Sequence, residues 1–452
     1  MPSVLQLLLS FLTLMRTTSL QCQRMASLHA NLIGKPGSRA LLNTPALVVS
    51  LPKLDRNIQR MSDFAATHKL RLRPHSKTHK SVEISKRQIA AGACGVCCAK
   101  LGEAEALSEG GIENILITSP VVGAGAIARL ASLARKCTGL MAVVDHPCSV
   151  DAIQAAMRAE EGAALTLLVD IDPGMRRTGV ASAQAAVELA QKIEAASGPF
   201  LTYGGVQFYC GVSQHIQEYA ARRAAFEEKD AYLSTTLAEL ARAGLPARLV
   251  TGGGTGSHAV DAELGVLTEI QPGSYVFMDR QYNDCELSPL RGGNDDGEDP
   301  AGEASTAAAS ASSVELLPQS SLDSPPASPP FSSPFETSLF VDVRVISANH
   351  PGCVTVDAGL KALSSEDGVP PVSAGAPLQS TFRFMGDEHG ILTFPEDADA
   401  AGTYPGHGDV VSFVAPHCDP TVNLYDYYHL VAGEGDRTLV DIWPIQGRGR
   451  CQ

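Results

Sequence analysis

The sequence predicts an α/β chain: a (β/α)8 TIM barrel followed by a C-terminal β domain. Three observations carry that expectation. Between residues 44 and 278, short apolar runs alternate with amphipathic helical patterns. Residues 286–336 then turn to Gly, Asn, Asp, Ala, Ser and Pro. Beyond them, β-like runs punctuated by Gly and Pro show little helical periodicity.

Candidate strands in the alternating region are 46–51, 70–77, 95–100, 114–119, 139–145, 165–172, 201–209, 249–253 and 269–278. Helical patterns at 54–67, 102–109, 181–196 and 216–243 lie between them. Repeated strand, helix, strand order implies parallel pairing, because a helix must return the chain at each crossover. Setting aside 46–51 leaves eight strands, which suits a barrel of about 250 residues. The expected division is a leader at 1–40, a barrel at 41–285, an insertion at 286–336 and a β domain at 337–452. The strand at 46–51 is free to join the β domain. The insertion cannot bury enough apolar surface to offset its ordering entropy and is expected to be disordered. Strands of the last domain are expected at 339–347, 353–357, 379–385, 409–416 and 438–444.

Composition narrows the function. A hydrophobic fraction of 44% with 19% charged residues describes a globular chain. A net charge of −14 argues against a nucleic-acid partner. The apolar run 4–15 is too short to span a bilayer, so no membrane partner is expected. No Asp or Glu precedes Asp55, whereas Arg16, Arg24, Lys35 and Arg39 do, among Ser and Thr. Such a leader reads as an organellar transit peptide, mitochondrial or chloroplast; a secreted or untargeted cytoplasmic chain is the alternative. Of eleven cysteines, Cys94, Cys97 and Cys98 crowd together without a second half-site, so they read as buried thiols in a reducing compartment.

Three segments carry chemistry. Residues 71–80, Arg-Leu-Arg-Pro-His-Ser-Lys-Thr-His-Lys, close the first barrel strand, where barrel catalytic groups sit. Lys77, flanked by Arg73, His75 and Lys80, has cationic neighbours expected to lower its pKa and free its amine for Schiff-base chemistry. A solvated basic rim is the other reading. Residues 251–258, Thr-Gly-Gly-Gly-Thr-Gly-Ser-His, follow the seventh barrel strand, and Gln271-Pro272-Gly273-Ser274-Tyr275 lies on the eighth. Loops there commonly bind phosphate, and glycines let backbone N–H groups approach an anion. Gly253, Gly254, Thr255, Gly256, Gly273, Ser274 and Tyr275 are therefore candidate cofactor contacts. With Lys77 at the same face, they spell a phosphorylated aldehyde cofactor. The third segment is Pro416-His417-Cys418-Asp419-Pro420-Thr421. In extended backbone His417 and Asp419 would share one face and suit a hard or borderline divalent ion. Arg177 could face the cofactor ring or pair with Asp170 or Asp172. His215 could be a general base or a helix-terminal residue. Residues 357–365 and 387–390 could line the cleft or form turns.

Together these segments resemble the D-threonine aldolases, relatives of eukaryotic D-serine dehydratase among alanine-racemase-like pyridoxal 5'-phosphate enzymes. The resemblance covers residues 44–285 and 337–452. It implies a barrel plus a β domain, a homodimer, pyridoxal 5'-phosphate, and a divalent metal, Mn2+ ahead of Mg2+ or Zn2+. It makes Lys77 the cofactor lysine, His417 and Asp419 the metal ligands, and His215 the proton acceptor. The expected reaction is retro-aldol cleavage of a small D-β-hydroxy amino acid such as D-threonine to glycine and an aldehyde. D-serine dehydratases are similar but favour His-x-Cys, whereas this chain has His-x-Asp. The leader and insertion lie outside the family pattern. A D-serine or 3-hydroxyaspartate dehydratase, a racemase and a non-catalytic pyridoxal-phosphate carrier are the alternatives.

Overall fold

The structure is a computed structural model that describes residues 28–288, 333–395, 404–433 and 437–452. Most of the leader and most of the insertion expected from the sequence lie outside the described residues. Strand β1, Ala46–Ser50, is buried along its whole length. It runs directly into helix α1, Leu51–Thr67, whose second residue is Pro52, a residue preset for a first turn.

Eight parallel strands follow: β2 (Arg71–Leu72), β3 (Val96–Cys98), β4 (Ile115–Ile117), β5 (Met141–Val144), β6 (Leu165–Asp170), β7 (Leu201–Phe208), β8 (Leu249–Gly252) and β9 (Glu269–Ile270). They pair in the order β2-β9-β8-β7-β6-β5-β4-β3, and a parallel bridge from His75 to Cys97 closes the ring. Helices α2 (Val82–Ala90), α3 (Leu101–Glu109), α4 (Ala124–Lys136), α5 (Pro147–Ala159), α6 (Ala183–Ala196) and α7 (Tyr219–Arg242) return the chain between strands. Strands β3, β4 and β5 are wholly apolar because their two faces meet the interior and the helices. Short helix α8, His258–Leu264, follows the glycine-rich loop, and α9, Arg280–Asn283, leads out of the barrel.

The β domain contains β10 (Leu339–His350), β11 (Cys353–Val356), β12 (Val372–Ala374), β13 (Thr381–Phe384), β14 (Gly390–Thr393), β15 (Val410–Val414), β16 (Tyr427–Val431) and β17 (Leu439–Pro444). Strand β1 sits in the middle of this sheet, antiparallel to β10 and parallel to β16. Residues 28–40, set aside with the leader on sequence grounds, are tied to it. Arg39 grips Asp342 through two bonds of 2.7 Å, and His29 Nδ1 lies 2.8 Å from His429 Nε2.

Candidate active site

The first barrel strand ends earlier than expected. After β2 the chain crosses to β3 through His75, and Lys77 stands in a single 3-10 turn, Ser76–Thr78. The amide of Lys77 donates to His75 Nδ1 at 3.3 Å, and His75 Nε2 meets Thr118 Oγ1 at 3.0 Å. Burial first, then the Lys77 charge, hold the His75 imidazole well below its usual pKa, so it is neutral.

Lys77 does not have the depressed pKa its neighbours suggest. Its ammonium lies 2.8 Å from Asp419 Oδ2, and that charge raises its pKa. The expected cationic neighbours are spent elsewhere. Arg73 is buried against Glu269 at 2.8 Å, and Lys80 against Glu103 at 2.9 Å. Their carboxylates cancel the field that the sequence run implied. Asp419 is pushed up by burial, but Lys77 and His417 outweigh this and hold its carboxyl well below the usual range.

The glycine-rich loop forms a cup beside this turn. Gly254 N donates to Ser257 Oγ at 3.0 Å, and Ser257 N donates to Gln214 Oε1 at 3.1 Å. Gln214 fills the space that a side chain at Gly254 or Gly256 would need: a Cβ on Gly256 would lie 2.0 Å from its carbonyl oxygen. Gly253 adopts φ of 65°, the left-handed region open to glycine. Tyr275 N donates to Thr255 Oγ1 at 3.0 Å, joining the two expected phosphate segments. A Cβ on Gly273 would lie 2.6 Å from Thr78 Oγ1, so the cup abuts the Lys77 turn. Among the described residues, none accepts a hydrogen bond from the backbone N–H of Thr255, Gly256 or Ser274. Buried open donors beside a lysine suit the phosphate of a carbonyl cofactor. Pyridoxal phosphate fits these residues.

His417 is extended backbone, but Asp419 lies in a helical first turn. His417 caps the short helix α10, Cys418–Val422, so the face-sharing argument for an H-x-D strand fails. Cys418 is fully buried, with its N–H donating to Asp279 Oδ2 at 2.8 Å. Asp279 also accepts from Tyr282 N at 3.1 Å, so α9 fixes α10 against the barrel. Glu366 Oε2 and Asp367 Oδ2 each lie 3.5 Å from His417 Nδ1. That nitrogen is buried without a hydrogen bond, and the three side chains could share a cation. An imidazole with carboxylates suits a divalent metal, so the metal fits too. Sequence reasoning missed Glu366 and Asp367, which adjoin the polar run 357–365. Thr421 Oγ1 positions that run by accepting from Ser364 N at 3.2 Å while donating to the His417 carbonyl at 2.8 Å. Asp387 and Glu388 instead pair with exposed Lys361.

His215 joins the two halves. It lies in the loop before α7, its ring 4.5 Å from that of Tyr282, and its Nδ1 is buried without a partner. Burial first, then the His417 charge, lower its pKa to about 4. Arg177 is exposed, stacked 5.5 Å over the Tyr209 ring, and forms no ion pair with Asp170 or Asp172 among the described residues. Asp170 instead accepts from Gln207 Nε2 at 2.9 Å.

A closed parallel barrel with a lysine and an anion cup on one rim, capped by a β domain, defines a pyridoxal-phosphate protein of the alanine racemase type. The alanine racemase N-terminal domain model matches residues 49–281, and a putative serine dehydratase domain model matches 338–431. The chain is 36% identical to a D-threonine aldolase of Arthrobacter sp over 91% of its length and 94% of the relative's. It is 33% identical to a 3-hydroxy-D-aspartate aldolase of Paracoccus denitrificans, over 90% and 93% of the two chains. A crystal structure of D-threonine aldolase from Filomicrobium marinum superposes with a TM-score of 0.76 at 34% identity, covering 91% of this chain and 96% of that one. This chain belongs to the D-threonine aldolase family, and it is a lyase.

Proposed function

We propose that the chain cleaves D-threonine and related D-β-hydroxy amino acids to glycine and an aldehyde, using pyridoxal 5'-phosphate and a divalent metal. The observation that carries this reading is one arrangement: Lys77 and Asp419 in contact, with the anion cup on one side and His215 and His417 on the other. Lys77 carries the cofactor. The N–H groups of Thr255, Gly256 and Ser274 receive its phosphate; Gly253, Gly254 and Gly273 let the backbone close round it, and Tyr275 backs the turn. Arg177, held over Tyr209, guards the open side of the ring pocket. Bound pyridoxal phosphate supplies an electron sink, and a metal supplies Lewis acidity toward the β-hydroxyl.

The residues of the chain do the rest. His417 and Asp419 hold the metal, with Glu366 and Asp367 answering the second ring nitrogen of His417. His215, neutral at assay pH, takes the β-hydroxyl proton on its free Nδ1 as the Cα–Cβ bond breaks and the aldehyde carbonyl forms. A proton then returns to Cα to give glycine. Mn2+ is the expected metal, a homodimer the expected assembly and an organelle the expected compartment.

The test is a product assay on purified protein with D-threonine and D-serine, with and without Mn2+ after chelation. Metal-dependent acetaldehyde and glycine from D-threonine support the reading. Pyruvate from D-serine without aldehyde would move the chain to elimination chemistry and overturn it.

A further inference from the structure

On the reading that His417 and the acids beside it hold the metal, we infer that Arg280 is the residue that positions those acids. Glu366 and Asp367 stand in a turn, 366–368, that lies outside any strand or helix, between β11 and β12. Asp367 has φ of 66° and Gly368 φ of 102°, so both lie in the left-handed region. A non-glycine residue stays there only where its surroundings enforce it. Two side chains bracket the turn. Before it, Ser364 is tied to α10 through Thr421, and its Oγ accepts from Glu366 N at 3.2 Å. After it, the Val369 carbonyl accepts from Arg280 Nη1 at 3.1 Å. The guanidinium also lies against the turn itself, where a Cβ on Gly368 would collide with Nη1.

The backbone of Arg280 is fixed to the other half of the same corner. Arg280 N donates to Ala415 O at 3.1 Å, and Gln281 N donates to Pro416 O at 3.4 Å. Asp279, fully buried, accepts from Cys418 N at 2.8 Å and from Tyr282 N at 3.1 Å. The short helix α9 and its cap therefore grip the chain on both sides of His417, while the partly exposed arginine side chain reaches across to the acids. Its Nε faces Asp284 Oδ2 at 3.6 Å while Nη1 serves Val369. A planar guanidinium donates in two directions at once, which a lysine ammonium does poorly. Glu366 and Asp367 are exposed and carry like charges, so a released turn lets them move apart. A cation must then impose the order that Arg280 had already supplied.

The experiment is calorimetric titration of the chelator-treated, cofactor-loaded protein with Mn2+, for the parent, Arg280→Ala, Arg280→Lys and Asp367→Asn. The expected result is Mn2+ affinity about tenfold weaker in Arg280→Ala, with partial recovery in Arg280→Lys. The Mn2+ concentration for half-maximal turnover should rise by the same factor. Cofactor absorbance and the melting temperature of the metal-free protein should match the parent's, which separates positioning from a general structural role. Unchanged Mn2+ affinity in Arg280→Ala, with Asp367→Asn weakened, overturns this inference and leaves the reading of the corner intact. A lower metal-free melting temperature in both arginine variants would make Arg280 a residue of the fold and overturn it as well. Absence of Mn2+ binding by the parent, or unchanged affinity in Asp367→Asn, overturns the reading of the corner and this inference with it.

Discussion

The anion cup and the metal corner lie side by side but are built on different principles. In the cup, buried glycines pack on Gln214, the serine and amide groups bond one another, and three backbone N–H groups remain open. At the corner, Glu366 and Asp367 are exposed, and His417 Nδ1 is buried between them without a hydrogen bond. The cup is finished before its ligand arrives. The corner gathers like charges that a cation must reconcile, so it should depend on its ligand for order and the cup should not.

The largest effect expected is at Lys77, where the two regions meet. Lys77→Ala should abolish turnover and the visible absorbance of the bound cofactor. A retained band that borohydride still fixes to the protein would remove Lys77 from that role. His215→Ala should lower kcat by roughly 10²- to 10⁴-fold. Its cofactor absorbance and metal affinity should stay as in the parent; if either collapsed, His215 would be structural. Asp367→Asn sharpens the corner's side of the comparison. Metal affinity by titration should fall roughly 10- to 100-fold with the cofactor band intact, whereas unchanged affinity would make the acid pair an ordinary surface. Gly256→Ala tests the cup, because its Cβ meets the Gln214 carbonyl. Cofactor affinity should drop and the melting temperature with it, while Gly125→Ala, with no atom within 4 Å of the new Cβ, should be neutral or stabilising.

The smallest effect is one of pH. Asp261 lies under the cup, its Oδ2 accepting from Ser257 Oγ at 2.7 Å, and burial raises its pKa to about 8. Because the folded pKa lies above the ordinary carboxyl value of 3.8, its contribution to stability is full below that value and is lost as pH rises through about 8. Asp261→Asn should therefore raise the melting temperature at pH 8 and have little effect at pH 4. An equal shift at both pH values would show that ionisation plays no part.

The same contrast explains what the sequence could reveal. The cup is written in contiguous residues, 251–256 and 271–275, and its glycines announce themselves. The lysine turn is likewise local. The electrostatics of that turn were misread, because the carboxylates that cancel Arg73 and Lys80 belong to β9 and α3. The contact between Lys77 and Asp419 spans 342 positions and leaves no local trace. Glu366 and Asp367 reach His417 only through the Thr421 hydrogen bonds, which no spacing rule encodes. The barrel was legible because its helices and strands alternate. Strands β12, β14 and β16 were not, since β12 is three residues long and β16 is buried throughout, without alternation. The N-terminal boundary also moved. Residues 28–40 look like the tail of a leader, yet His29, Ser38 and Arg39 are bonded inside the β domain.

Strand β1 has a consequence for how the molecule comes into being. Ala46 pairs with Asp342, so 296 positions separate a strand made early from the partner that covers it. During synthesis the entire barrel can emerge and close while Ala46–Ser50, wholly apolar but for its last residue, waits without a neighbour on either side. A ribosome that stops before residue 339 therefore releases a chain with a finished barrel and an open sheet edge. Completion of the C-terminus, rather than of the barrel, is the moment at which this protein becomes safe from aggregation.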